Sequence, residues 1–466
     1  MKCIKDFSLL FVILLCGNTF AKSASLLSLE FNYNKTSTLL HPPYISSVIN
    51  DTTDPAFSCG FFVSVSYNGK PILPNDYIVK IENDNPLVVA NNGIIITKNN
   101  GDFNVKIKPS SVGYANITLS VIKGKDKEEM IVYYAASSSN KSLQTITHTG
   151  FSDASAAINI DEQYMIVGDD ESNSLVVYDK TQSGLPVNIF NYEKYLNSGE
   201  ASSKEIDCEA GVRSLKSKNI IYWTGSMGNG GKKYEEKPTR STLIATEFKG
   251  TGKNTKFNFK DSYTELRKKL IEWGDKNGYN FSASAANGEK PKQINGFNIE
   301  GMVFAPDSST LYIAFRAPLV PATSRTKAVI APIKKFEEWF SNGHYSKKIN
   351  IDTPIELNLD GRGFRDIIKL SNAMYLIVAG NSNAERNAAL YLWSGYASDV
   401  PKLVSNKDIK DFNIEAAVEL TNDGNYTGKV QLLCDDGATS FYDDNIHSKY
   451  LNNGFKKFRS LIVTLR

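Results

Sequence analysis

Asn298-Ile299-Glu300-Gly301-Met302 is the stretch on which the fold turns, because variants of it open four other segments of the chain. These are Ser152-Asp153-Ala154-Ser155-Ala156, Ile206-Asp207-Cys208-Glu209-Ala210, Phe364-Arg365-Asp366-Ile367-Ile368 and Asn413-Ile414-Glu415-Ala416-Ala417. Each opening sets an acidic residue among small and apolar ones. Apolar runs follow: Tyr164 to Gly168, Ile220 to Gly225, Leu311 to Phe315, Tyr375 to Gly380 and Val430 to Cys434. A third run comes next, such as Leu175-Val176-Val177-Tyr178 or Leu390-Tyr391-Leu392-Trp393. Short apolar runs bounded by turn residues predict strands, and their recurrence predicts a repeat architecture. A unit of three or four antiparallel strands cannot bury both faces alone. Radial stacking covers the faces and removes the exposed edges. The expectation is a β-propeller over residues 143–466, of about five blades with six possible because the fourth strands are weak. Leu143 to Thr147 and Phe458 to Leu465 are the natural pair to close the ring.

Upstream, residues 26–138 alternate at period two between turn signals. Examples are Phe61-Phe62-Val63-Ser64-Val65-Ser66-Tyr67 before Asn68-Gly69, and Ala115-Asn116-Ile117-Thr118-Leu119-Ser120-Val121. About seven such strands in ~100 residues predict an immunoglobulin-like β-sandwich, so the whole chain is expected to be all-β. Its expected role is a spacer or adhesion module offering a surface or protein partner a docking face. Ala135 to Asn140 is expected to be the linker.

The first 21 residues have the form of a signal peptide: Lys2 and Lys5, an apolar run from Leu9 to Leu15, and Thr19-Phe20-Ala21 at the cleavage position. This predicts a secreted or periplasmic protein. Cys16 offers the alternative of a lipoprotein, disfavoured by Leu15 where a small residue is required. The run is too short to span a bilayer, and no later segment qualifies. A formal net charge of +3 with no basic block argues against nucleic acid. Downstream of the leader stand Cys59, Cys208 and Cys434. A Cys208–Cys434 disulfide is conceivable, and three small buried thiols is the simpler expectation.

Two insertions interrupt the repeat. In 249–296, Ser262 and Glu265 have capping-box spacing ahead of a helix with Leu266, Leu270 and Trp273 on one face. Lys334 to Phe340 predicts a second helix. Either could cover the channel mouth or pack on a blade rim. Gly228-Asn229-Gly230-Gly231-Lys232 lacks the following helix of a phosphate loop and is expected to be a hairpin tip.

In a propeller blade the start of the first strand and the end of the second share one face of the disc. The openings place Asp153, Asp207, Glu209, Glu300, Asp366 and Glu415 there. The second-strand ends add Asp169, Asp170, Arg316, Asn381, Asp435 and Asp436, with Arg362 and Arg365 nearby. So many carboxylates in one funnel must bind cations, pair with arginine or take up protons. Oxygen donors without histidine favour Ca²⁺ or Mg²⁺, with Asp170, Glu209, Glu300 and Glu415 as the expected ligands. His41, His148, His344 and His447 are scattered, and His148 belongs with the closure strand. Against this stands the structural role of any single acid: accepting from turn amides, or pairing with a neighbouring blade's arginine.

Six motifs occur in order: Ser152 to Ala157, Gly168 to Asn173, Ile221 to Ser226, Asn298 to Gly301, Phe315-Arg316 and Gly361 to Ile367. Together they resemble the bacterial family known as domain of unknown function 3616, over roughly residues 145–466. The resemblance implies a propeller-like fold and no activity. Gly113 to Thr118 with Met130 to Tyr134 resembles the last hairpin of bacterial immunoglobulin-like repeats. The functional expectation is an exported propeller that binds a cation or small ligand at its acidic mouth. The alternative is a Ca²⁺-assisted hydrolase of phosphate esters in which Arg316 or Arg365 clamps the substrate.

Overall fold

Alternation builds the N-terminal unit: Phe61–Tyr67 buries Phe61, Val63 and Val65 and leaves the residues between them partly covered, as a pleated strand requires. The computed structural model describes residues 26–32, 43–138, 145–196, 205–341, 348–383, 385–404 and 409–465. The expected leader lies outside these. One sheet orders Leu27–Asn32, Phe61–Tyr67, Asp102–Ile107 and Ile94–Asn99, with Lys70–Pro71 beside the second. The other orders Tyr44–Val48, Asp126–Ser137, Gly113–Lys123 and Ile78–Asn83. Val63, Phe103, Ile117, Leu119 and Val132 fill the space between them, so the unit is a two-sheet sandwich.

The linker expected from Ala135 does not begin there. Ala135, Ala136 and Ser137 are buried at the end of the last sandwich strand, beside Tyr44–Val48. The reason is docking: Tyr44, Tyr114 and Tyr133 meet Phe441, Tyr442 and Phe455 of the propeller in one aromatic cluster. The Tyr114 hydroxyl donates to Asp444 Oδ2 at 2.6 Å, and Ser46 Oγ donates to the Gly454 carbonyl at 2.9 Å. The sandwich is therefore a fixed buttress. Tyr114→Phe removes one such bond, and the expected result is a loss of about 1 kcal/mol. It reads as a lower urea midpoint at unchanged slope; an unmoved midpoint refutes it.

Downstream, the described residues form five four-stranded sheets. Their innermost strands are Ala154–Asn159, Cys208–Arg213, Asn298–Phe304, Gly363–Lys369 and Ile414–Asn422, opening blades 1 to 5 in that order. Each pairs antiparallel with the strand that follows it. The innermost strands pack on one another around a complete circle. Thr145–Thr149 supplies the outer strand of the last blade by pairing with Lys457–Leu461, so the ring has five blades and closes as its sequence predicts. His148 lies in that closure strand.

Both insertion helices form, as Leu266–Lys276 with its expected face buried and as Phe336–Ser341, but the start of the first differs from the sequence reading. Ser262 lies within the strand Lys256–Tyr263, and Glu265 caps Leu266–Lys276 with no side-chain cap bond; the expected capping box does not form. Leu266, Leu270 and Trp273, with Phe336 and Trp339 of the second helix, fill the wedge between blades 2 and 3. Filling a blade wedge, not covering the mouth, is their work. Cys208 and Cys434 lie in separate inter-blade cores and are unpaired, while Cys59 is exposed. The conceivable disulfide is absent, and only two of the three thiols are buried. Among the described residues no helix is long and apolar enough to cross a membrane.

Candidate functional site

Each innermost strand carries the same irregularity near its start. The register skips between Ala154 and Ala156, Cys208 and Ala210, Ile299 and Gly301, Phe364 and Asp366, and Ile414 and Ala416. The residue left out is Ser155, Glu209, Glu300, Arg365 or Glu415. A bulge releases one residue from the ladder and re-aims its side chain. Five equivalent bulges therefore form a ring on the channel, each member no more than 3% exposed.

One half of the ring is neutralised. Arg316, from the second strand of blade 3, places Nη1 2.5 Å from Glu300 Oε1 and 4.0 Å from Glu415 Oε1. Arg365 Nη1 donates to Glu415 Oε1 and lies 3.5 Å from Glu300 Oε2. Backbone carbonyls fix both guanidiniums: Ser382 and Asn383 for Arg316 at 2.9 and 3.0 Å, and Asn381 and Asn383 for Arg365, both at 3.2 Å. Glu300 and Glu415, expected as metal ligands beside Asp170 and Glu209, are instead ion-paired. Arg316 and Arg365, expected as substrate clamps, are occupied by them.

The other half is neutralised only at Asp207. Asp170, Asp207 and Glu209 each bring one oxygen within 4.8 Å of the others. Asp207 holds a left-handed backbone at φ 58° and is paired with Arg240 at 2.9 Å. Asp170 Oδ1 and Glu209 Oε1 are buried without a hydrogen-bond partner among the described residues. Burial, then repulsion from neighbouring carboxylates, pushes both carboxyls well above the usual range. Asp153 and Asp435 meet where blades 1 and 5 join, their backbones bridged. Burial raises both. Gly437 leaves room for that pair, because a Cβ there would lie 1.8 Å from Asp153 Oδ1.

The remaining acids have structural partners. Asp366 accepts from the Ile367 and Ala417 amides at 2.7 and 2.8 Å, stapling blade 4 to blade 5. Asp436 holds Arg459 in a fork at 2.9 and 2.6 Å. Asp169 accepts from the Asp153 amide at 3.2 Å. Arg362 binds Asn387 and Tyr391. The ten carboxylates thus share a face without sharing a site.

Two participants carry no local sequence signal. Arg240 precedes the third strand of blade 2 and reaches Asp207 and Glu205. Lys292 comes from the loop after the first insertion helix. Burial works to lower its pKa, and the surrounding carboxylates, Glu209 foremost, outweigh this and hold it well above the ordinary lysine range. The loop is tied down by Arg267, which donates to the carbonyls of Met227 and Ala285 and to Asn229 Oδ1, each at 2.9 Å. Asn229 in turn donates to the Ala286 carbonyl at 2.7 Å. The glycine-rich hairpin tip therefore mounts this loop.

At the far ends of the innermost strands a separate cavity of about 370 Å³ is lined by Ile158, Val212, Met302, Ile367 and Val418. Asn159, Arg213, Lys369 and Glu419 also line it, and it shares no residue with the acidic mouth.

No protein-family model matches the chain, and no curated protein matches it. Among solved structures it is similar to virginiamycin B lyase from Staphylococcus aureus, at 10% identity and TM-score 0.26 over 63% of this chain and 71% of that one. It is also similar to a quinoprotein alcohol dehydrogenase-like protein from Bacteroides thetaiotaomicron, at 9% identity and TM-score 0.29 over 86% and 80%. The propeller assignment rests on strand order and ring closure; these similarities carry none of it.

Proposed function

We propose that the chain is an exported binding propeller whose mouth holds a hard divalent cation, Ca²⁺ first, on Asp170, Asp207 and Glu209. The observation that carries this reading is that Asp170 and Glu209 are buried with unpartnered oxygens a few ångströms apart. A carboxylate in that position must find a cation or take a proton, since leaving it charged and unpaired costs several kcal/mol. Three carboxylates around one point reward a dication. Oxygen-only donors favour Ca²⁺ or Mg²⁺ over Zn²⁺, and Ca²⁺ takes six to eight oxygens at ~2.3–2.6 Å, leaving positions for water or a ligand. Export suits the affinity of ~10⁻⁴–10⁻³ M common in extracellular modules.

The alternative, hydrolysis of phosphate esters, relied on a free guanidinium at Arg316 or Arg365. Both are ion-paired, so binding is the preferred reading. Ca²⁺ titration during thermal unfolding tests it. Binding at a hundredfold excess over Kd stabilises the fold by about 2.7 kcal/mol, seen as a rise in Tm that chelator reverses. Glu209→Gln removes most of that rise, yet leaves the metal-free protein at least as stable as the wild type because it discharges a buried carboxylate. A Tm indifferent to Ca²⁺, Mg²⁺ and chelator ends the proposal.

A further inference from the structure

We infer that the far end of the channel is a second ligand site, taking a small molecule with an apolar body and one carboxylate; this site does not rest on the cation reading above. The cavity of about 370 Å³ there is built by all five blades in register. Counting from each bulged residue, the second and third positions are apolar or glycine in every blade, from Ala157 and Ile158 in blade 1 to Ala417 and Val418 in blade 5. The fourth position forms the rim: Asn159, Arg213, Phe304, Lys369 and Glu419. Apolar walls ending in a few polar groups are the form of a small-molecule pocket, and the volume falls in the usual range of ~300–1,000 Å³. There is room for a body the size of roughly a dozen water molecules, at ~30 Å³ each. Leu215, also on the lining, is 48% exposed and adds uncovered apolar surface at the opening.

The rim is held in place by bonds between blades. Asn159 Nδ2 donates to the Glu419 carbonyl at 2.7 Å, and Arg213 Nη2 donates to the Asn159 carbonyl, lacing blade 5 to blade 1 and blade 1 to blade 2. The Glu419 carboxylate accepts from the Ser371 amide at 2.9 Å and from its hydroxyl at 2.7 Å. Arg213 is bonded to carbonyls alone, those of Asn159 and Lys218, with the Phe248 ring 5.1 Å from its guanidinium carbon. These bonds use two of the five donors a guanidinium offers. Neither Arg213 nor Lys369 has a carboxylate within 4.0 Å among the described residues. Lys180 stands behind the rim, bonded to Asn159 Oδ1 and the Asp161 carbonyl at 2.8 and 2.7 Å, and is not part of the lining. The lining thus sets two cations against one carboxylate. A cationic head meets like charge there, and a neutral one leaves both cations to water. A carboxylate pairs with the planar fork of Arg213 while its chain covers the walls.

Octanoate, titrated calorimetrically into the full chain in chelator and again in Ca²⁺, provides the test. The expected result is binding of similar strength in both buffers, since the cavity shares no lining residue with the acidic mouth. Butanoate, four methylenes shorter, binds at least about a hundredfold more weakly. 1-Octanol and octylammonium each bind at least about tenfold more weakly than octanoate. Arg213→Met weakens octanoate about tenfold and leaves 1-octanol unchanged. Lys369→Glu, on the exposed part of the rim, weakens octanoate about fivefold without touching the core. Absence of octanoate binding, butanoate or 1-octanol equal to octanoate, or octanoate affinity unchanged in both variants overturns the inference and leaves the cation site standing. A Tm indifferent to Ca²⁺ overturns the cation site and leaves this one, because octanoate is titrated without metal.

Discussion

Arg365→Met is expected to destabilise the propeller by about 3–5 kcal/mol, the usual cost of removing one partner from a buried ion pair. Arg365 is 3% exposed and Glu415 2%, so water does not replace the lost guanidinium. Glu415 keeps Arg316 at 4.0 Å, which holds the loss toward the lower end. The damage also has a structural reach, because Arg365 gathers the Asn381 and Asn383 carbonyls at the rim of blade 4. Arg365→Met combined with Glu415→Leu recovers most of the stability, since a well-packed apolar replacement of a buried pair is close to neutral. Urea unfolding of the two variants decides it. A single variant within about 1 kcal/mol of the wild type shows the quartet to be solvated, and the polarised mouth with it.

Acid has a second large effect, through the ring closure. His148 is wholly buried, with Nε2 2.9 Å from Ser460 Oγ and Nδ1 without a hydrogen-bond partner among the described residues. Its ring stacks on Phe458 and meets Tyr178 edge-on. Burial holds it down to about 3, against about 6.5 in an unfolded chain. The folded state thus keeps the ring neutral while the unfolded state protonates it. The contribution is complete above pH ~6.5 and is lost as pH falls toward about 3, by roughly 1.4 kcal/mol per unit. Asp169 and Asp366, raised by burial to about 7, and Asp54, raised by burial to about 6, act in the opposite sense. They bind protons in the folded state and add stability as pH falls from 7 toward ~3.8. The net slope is a sum, so the variant isolates the histidine. His148→Phe leaves Ser460 bonded to Gln431 at 2.8 Å. Its stability relative to the wild type is flat above pH 7 and gains about 3 kcal/mol by pH 4.5. Parallel pH curves refute it.

The blades were legible because burying both faces of a strand demands a continuous apolar run. Met165-Ile166-Val167 and Leu376-Ile377-Val378 are such runs and are buried throughout. Ring closure was legible for the same reason: apolar strands at both ends of the repeat had no other partner. The acids were located to the right face, since antiparallel pairing puts Ala154 opposite Asp169 and Ile414 opposite Cys434. Which acid does what was not legible. At Arg365-Asp366 the bulge turns the arginine into the channel and leaves the aspartate on two amides, and a one-residue shift in register leaves no mark on composition.

Composition and periodicity alone therefore determined an all-β chain, its sandwich and its ring of repeats, because burial acts on every residue of a strand and repeats its demand at every blade. Tertiary structure alone decided that three glutamates at equivalent bulges meet different fates. Glu300 and Glu415 find arginines from other strands, and Glu209 finds none among the described residues. It also decided that the charge of Glu209 acts on Lys292, far along an insertion. Charge pairing depends on distances between segments remote in the chain, and those exist only once the ring has closed.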